Sequence, residues 1–175
     1  MKTMTAGLTP EQLVIAQFWQ FASGPDGPMG YFAELVTQST KAAQMNERQT
    51  ACVYAVLHMA IMDASIGCWD SKYTYSYVRP FQVDLTIATP VGRANFPSYP
   101  SAHSCLASAA AGVLVGLFPS TKAVMDAKVA EAGVARMYAG LHFRFDITAG
   151  QELGYKDAAL ARTHIPQPNA AIPLQ

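Results

Sequence analysis

The chain has 175 residues, 51% of them hydrophobic and 14% charged, with a formal net charge of zero. That length suits a single domain spanning 1–175. Zero net charge excludes a nucleic-acid binder driven by a general positive field, so any anion selectivity has to come from a local cluster of cations.

The first residues, MKTMTAGLTPEQ, carry a lysine but no apolar run after it, so no signal peptide is expected. Thr9-Pro10-Glu11 then supplies an N-cap, a proline at the first helical position and an early acid, predicting a helix through Leu13, Ala16, Phe18 and Trp19. Ser23-Gly24-Pro25-Asp26-Gly27-Pro28 breaks it. A second helix is expected over Met29–Thr40 and a long third one over Asn46–Trp69, where Val53, Val56, Leu57, Ala60, Ile61 and Ala64 recur at helical spacing. From Tyr73 to Pro100 that period disappears among tyrosines and the prolines Pro80, Pro90, Pro97 and Pro100. A loop of that length in a compact domain is usually functional, and its aromatics argue for order. A fourth helix is read over Ser101–Phe118, rich in Ala and Gly, and a fifth over Thr121–Ala139, ended by Gly140. A sixth runs from near His142 to about Ala161, before a proline-rich tail. The fold class predicted is an all-α bundle of about six helices with a long irregular active-site loop.

The longest candidate for a membrane span is Cys105–Phe118, about 14 residues interrupted by Ser108, against the ~20 a bilayer requires. No membrane span is therefore expected, and a soluble, cytoplasmic location. Cys52, Cys68 and Cys105 form neither a CxxC pair nor an even disulfide set, which agrees with a reducing compartment. The low charged fraction, beside ~25% in soluble domains, predicts that surface is covered by self-association, most simply as a homodimer.

Three short signals fall at helix ends or in the long loop: Lys72 followed after six residues by Arg79-Pro80; Pro100-Ser101-Ala102-His103; and Arg136, then His142, then Asp146. Singly each has an ordinary use, as solvated cations, a helix cap, a core histidine or a local i,i+4 pair. Together they suit a tetrahedral oxyanion, whose charge is spread over several oxygens and needs many donors. Arg79 and Arg136 supply planar forks, Lys72 a point charge, Ser101 a hydroxyl, and the first helical turn after Pro100 its amides. Asp146 accepts from one ring nitrogen of His142 and leaves the other for the anion, with His103 as acid or base across the site. No His/Cys/carboxylate cluster at metal-ligand spacing accompanies them.

The ordered set Lys-x6-Arg-Pro, Pro-Ser-x-His and Arg-x5-His-x3-Asp resembles the signature of the type 2 phosphatidic acid phosphatase (PAP2) and vanadium-dependent haloperoxidase superfamily. The stretches 68–73, 96–104 and 140–146, with the LTPEQ opening, resemble its soluble bacterial haloperoxidase branch, and the resemblance implies a domain core over about 8–162. The resemblance implies a haloperoxidase with vanadate as cofactor and His142 as the vanadate ligand, or a phosphatase that forms a phospho-His142 intermediate and needs no cofactor. A third reading is a degenerate phosphate-binding or structural helical protein. Either enzyme would act on a small molecule through a phosphate- or vanadate-like anion. Asp146 would hold His142; Lys72, Arg79, Ser101, the Ala102 amide and Arg136 would bind oxygens; His103 would manage protons. Phe96, where chloroperoxidases tend to have Phe and bromoperoxidases His, would form a halide or substrate pocket with Trp69. The chain departs from the pattern at Ala102, usually Gly, at Ala135, usually Ser, and in lacking the N-terminal helical half of most haloperoxidases of this branch.

Overall fold

A computed structural model of the chain describes residues 2–20 and 28–164. In chain order it has α1 (Lys2–Ala6), α2 (Pro10–Phe18), α3 (Pro28–Ala42), α4 (Glu47–Tyr75), α5 (Pro80–Val83), α6 (Ala102–Leu117), a 3₁₀ turn at Pro119–Thr121, α7 (Lys122–Tyr138) and α8 (Arg144–Arg162). No strand occurs among the described residues, so the chain is all-α, and α2, α3, α4, α6, α7 and α8 are the six longer helices expected. The expected break at 23–28, apart from Pro28, and the proline-rich tail lie outside the described residues.

Local chemistry sets the helix starts. Thr9 accepts from the Gln12 amide in a capping box with Pro10 at the first helical position, and Asn46 does the same with Gln49 at the start of α4. α4 runs beyond its expected end at Trp69 to Tyr75, where Ser76 in the left-handed region (φ 46°) closes it. The irregular loop is correspondingly shorter and contains the single turn α5. His142 precedes α8 and does not lie on it.

Val53, Val56, Leu57, Ala60, Ala64 and Cys68 of α4 face the core at helical spacing, and each fully buried Val or Leu contributes about 1.5–3 kcal/mol. α6 and α8 meet through small residues. A Cβ built on Gly150 would lie 2.6 Å from the Ser101 carbonyl oxygen, and one on Gly112 would lie 2.6 Å from the Ala158 Cβ. The Ser101 amide donates to the Asp146 carbonyl at 2.9 Å, tying the start of α6 to the first turn of α8. Two of the three chemical signals are thereby joined backbone to backbone.

The opposite face of α4 changes one expectation. Met59 (43% exposed), Met62 (59%) and Ile66 (57%) lie outside the core. The helical stretch Glu47–Val83 is long and apolar enough to cross a membrane, with a mean hydropathy of 1.6 over its best window and 33% of that window buried. The expectation of no membrane span, and with it of a soluble, cytoplasmic chain, is corrected on this point. A search for unbroken apolar runs overlooked this helix because its hydropathy is spread among isolated polar residues such as His58, Asp63 and Ser65.

Candidate functional site

The three signals converge on one buried place. Lys72 comes from the last turn of α4, Arg79 from the start of α5, Ser101, Ala102 and His103 from the start of α6, and Arg136 from the last turn of α7. His142 and Asp146 stand at the entry to α8, and Lys72, Arg79, Ser101, Arg136, His142 and Asp146 are all 5% exposed or less. Burying several cations together costs free energy unless donors find acceptors or an anion joins them.

Hydrogen bonds define the tautomer of His142. Its Nδ1 lies 3.0 Å from Asp146 Oδ2, and its Nε2 lies 3.0 Å from Arg79 Nη1. A guanidinium can only donate, so Nε2 accepts and the ring proton sits on Nδ1, directed at the carboxylate. Asp146 Oδ2 also accepts from Ser98 Oγ (2.6 Å) and the Phe143 amide (3.0 Å). Burial pushes the Asp146 carboxyl above its ordinary pKa, against these donors. Burial, then the charges of Arg79, Lys72 and Arg136, holds His142 well below 6.5, so its imidazole is neutral. His103 is held down in the same direction by burial, then by Arg136 and His142; its side chain lines the cavity while its Nε2 is buried.

The cations divide into two kinds. Lys72 Nζ donates to the carbonyls of Pro97 (3.0 Å), Ser98 (2.9 Å) and Pro100. Arg79 donates to the carbonyls of Phe96 (3.0 Å), Pro97 (3.1 Å) and Leu141 (2.9 Å) besides His142. Arg136 donates through Nη1 to the Trp19 carbonyl at 3.1 Å, while its buried Nε has no hydrogen-bond partner among the described residues. Burial, then Arg79, lowers its pKa to about 10, so it remains charged at neutral pH.

A cavity of about 460 Å³ opens beside these groups, lined by Arg79, Ala102, His103, Arg136 and His142 together with Ile61, Ser65, Trp69, Phe96, Leu106 and Leu141. Trp69 and Phe96 meet at 5.7 Å between ring centroids, and the Arg79 guanidinium lies 5.0 Å from the Phe96 ring. Lys72 and Ser101 stand behind this lining; Ser101 Oγ accepts from the Ser104 amide (3.5 Å) as the cap of α6. Ala102 is helical, and among the described residues only Gln44 and Ser76 combine a side chain with positive φ, so Ala102 carries no left-handed strain. Ala135 is fully buried in α7. Sequence reasoning missed Ser98, the carbonyls of Pro97 and Leu141, and the cavity wall from Ile61, Ser65 and Leu106. Of these, only Ser98 had a visible signal, as a serine three residues before Ser101.

The PAP2 superfamily model matches residues 50–166, which takes in all three signals. Among curated proteins, none matches the chain. A bacterial vanadium-dependent iodoperoxidase is similar in structure at 25% identity with a TM-score of 0.75, over 87% of this chain and 43% of that one. The chain thus spans less than half the length of that relative. Aquifex aeolicus LpxE superposes with a TM-score of 0.70 at 20% identity, over 93% of this chain and 92% of that one. A transmembrane PAP2-type phosphatidylglycerolphosphate phosphatase from Bacillus subtilis does so at 0.62 and 17% identity, over 93% and 80%. The same fold thus occurs in a transmembrane protein, which with the apolar length of α4 completes the correction on membrane span and location.

Proposed function

The chain belongs to the PAP2 superfamily, and we propose that within it the protein is a vanadium haloperoxidase, holding vanadate at His142 and oxidising halide with peroxide. The observation that carries this reading is the His142 tautomer, with Nδ1–H on Asp146 and the Nε2 lone pair facing the guanidinium side of the cage. The residues present fit the anion. The buried Arg136 Nε has no partner among the described residues, and Arg79 reaches the same histidine nitrogen that would bind it. His142 would hold vanadium through Nε2, while Arg79, Arg136 and the Ala102 amide would donate to its oxygens. Vanadate, when bound, supplies the centre at which peroxide oxidises halide. Asp146 keeps the imidazole proton on Nδ1 and raises the basicity of the opposite nitrogen. His103, neutral without the anion, gains proton affinity when negative charge enters and can then hold or pass a proton at an anion oxygen. Trp69, Phe96, Leu106 and Ile61 line the same cavity and would give that oxygen a largely apolar surrounding.

A second reading, phosphomonoester hydrolysis, is favoured by the cavity itself, whose volume of about 460 Å³ beside the cage leaves room for an organic leaving group. There His142 Nε2 would form an N–P bond as the ester P–O bond breaks. His103 would protonate the departing oxygen, and water would then release phosphate. The deciding experiment titrates orthovanadate by calorimetry, then assays peroxide-dependent iodide and bromide oxidation beside p-nitrophenyl phosphate hydrolysis in one preparation. Stoichiometric vanadate binding with halide oxidation supports the first reading. Hydrolysis without halide oxidation supports the second, and absence of anion binding overturns both.

A further inference from the structure

Ser98 lies outside the three short signals that supply the cage, yet it is fully buried at the point where the site's segments meet. Its amide donates to the Tyr77 carbonyl at 2.8 Å, just beyond α4. Its carbonyl accepts from Lys72 Nζ at 2.9 Å. Its hydroxyl donates to Asp146 Oδ2 at 2.6 Å, the shortest of the three hydrogen bonds which that oxygen accepts. With main-chain donor and acceptor both engaged, Ser98 has little freedom to turn its hydroxyl elsewhere. The second acceptor within reach, the Leu141 carbonyl at 3.5 Å, is at the limit of a hydrogen bond.

We propose that Ser98 is a positioning residue: its hydroxyl fixes the Asp146 carboxylate and through it the angle of the His142 ring, so that Nε2, already kept unprotonated by Arg79, is presented to the anion. The other two donors to Asp146 Oδ2 cannot do this. The Phe143 amide is three residues away in the same entry to α8 and moves with the aspartate. The His142 ring is the group being positioned. Ser98 approaches from a separate segment, and the Lys72 ammonium holds that segment by the carbonyls of Pro97, Ser98 and Pro100. A line of support therefore runs from Lys72 through Ser98 and Asp146 to His142, and Lys72 acts on the imidazole without touching it. Supporting partners of a ligating histidine fix its tautomer and ring angle, and their loss commonly lowers affinity or activity by about 10- to 100-fold.

The expected effect on catalysis rests on the proposed function, whereas the expected effect on the His142 ring does not. The test therefore begins with the protein free of any anion, labelled with ¹⁵N-histidine, in three forms: wild type, Ser98→Ala and Ser98→Thr. The wild type is expected to show one sharp His142 Nδ1–H signal, as is Ser98→Thr, which keeps the hydroxyl. Ser98→Ala should keep that tautomer, held by Arg79 on Nε2, but shift and broaden the Nδ1–H signal as the ring loses its fixed angle. Turnover by whichever activity is present should fall about 10- to 100-fold in Ser98→Ala with KM within about twofold, and recover in Ser98→Thr. Unchanged His142 shifts in a folded Ser98→Ala would overturn the proposal, as would a shift that Ser98→Thr fails to restore. Should Ser98→Ala not fold, Ser98→Cys is close to serine in shape and has only a weak donor. It should then show the same shift and broadening, and their absence counts equally against the proposal. A ring response without any halide oxidation or ester hydrolysis leaves the positioning role standing and removes the proposed function.

Discussion

The two sides of the cage use similar side chains in opposite ways. On the side built by the end of α4, α5 and the loop before α6, Lys72 and Arg79 give their protons mainly to main-chain carbonyls, six in all counting Phe96, Pro97 twice, Ser98, Pro100 and Leu141. On the side built by α7 and the first turn of α6, Arg136 has one carbonyl partner and a buried Nε left without one among the described residues. A cation surrounded by carbonyls shapes the chain, whereas one with unspent donors is poised for an anion. Positive charge thus serves mainly structure on one side and is left available for an anion on the other.

The largest effect expected is common to both sides. His142→Ala removes the Nε2 that faces the Arg79 guanidinium and should abolish turnover in either chemistry while leaving the fold measurable by circular dichroism; residual turnover near wild type would reassign the central ligand. The sides should then separate. Lys72→Met strips a donor from three carbonyls, of which Pro97 keeps Arg79; the other two cost about 1–3 kcal/mol each, so chemical denaturation should show a loss of a few kcal/mol. Arg136→Met should instead cost vanadate or phosphate affinity about 100-fold, or ~2.7 kcal/mol, with a smaller loss of stability. Equal losses of stability in the two variants would erase the contrast.

A pH titration of stability sharpens the same comparison. His103 and His142 have folded-state pKa values well below 6.5, so the unfolded chain binds more protons than the folded one once pH drops under about 6.5. Stability of the anion-free protein should fall with pH there, approaching about 1.4 kcal/mol per pH unit for each histidine. Phosphate should reduce that slope by raising the proton affinity of His103 in the folded state. A slope that phosphate leaves untouched would place the anion away from this histidine. The smallest effect is expected at Ala102. It is helical without strain, so Ala102→Gly should change vanadate affinity by less than tenfold, about 1.4 kcal/mol, and a larger gain would mean that the methyl obstructs the oxyanion.

The helices and the residues that converge were legible because both leave marks in spacing: apolar residues at helical intervals in α4, Thr9-Pro10 and Asn46 at helix starts, and the three signals at helix ends. What each cation does was not legible. The sequence motif marks Lys72 as an oxygen ligand of the anion but says nothing of the main-chain carbonyls of Pro97, Ser98 and Pro100 to which its three donors go, because a carbonyl has no letter in a sequence. The role of Ser98 stayed hidden for a related reason: its partner lies 48 positions away, beyond any local pattern. The exposed, apolar side of α4 was missed because one polar residue every turn or so breaks a run without ending the hydropathy.

The seam between α6 and α8 bears on how this site could be altered. At Gly150 the facing surface includes the Ser101 carbonyl, and Ser101 in turn donates its amide to the Asp146 carbonyl. The interval between the helix start that carries His103 and the one that carries Asp146 is therefore gauged by main chain, like a caliper locked at one setting. Repacking the apolar groups around it can change stability without changing that setting. A single added carbon at Gly150 would open the jaws, so a designer wishing to admit a larger central oxyanion can turn the screw there, or a turn later at Gly154, where an added Cβ would run into the Cys105 carbonyl oxygen.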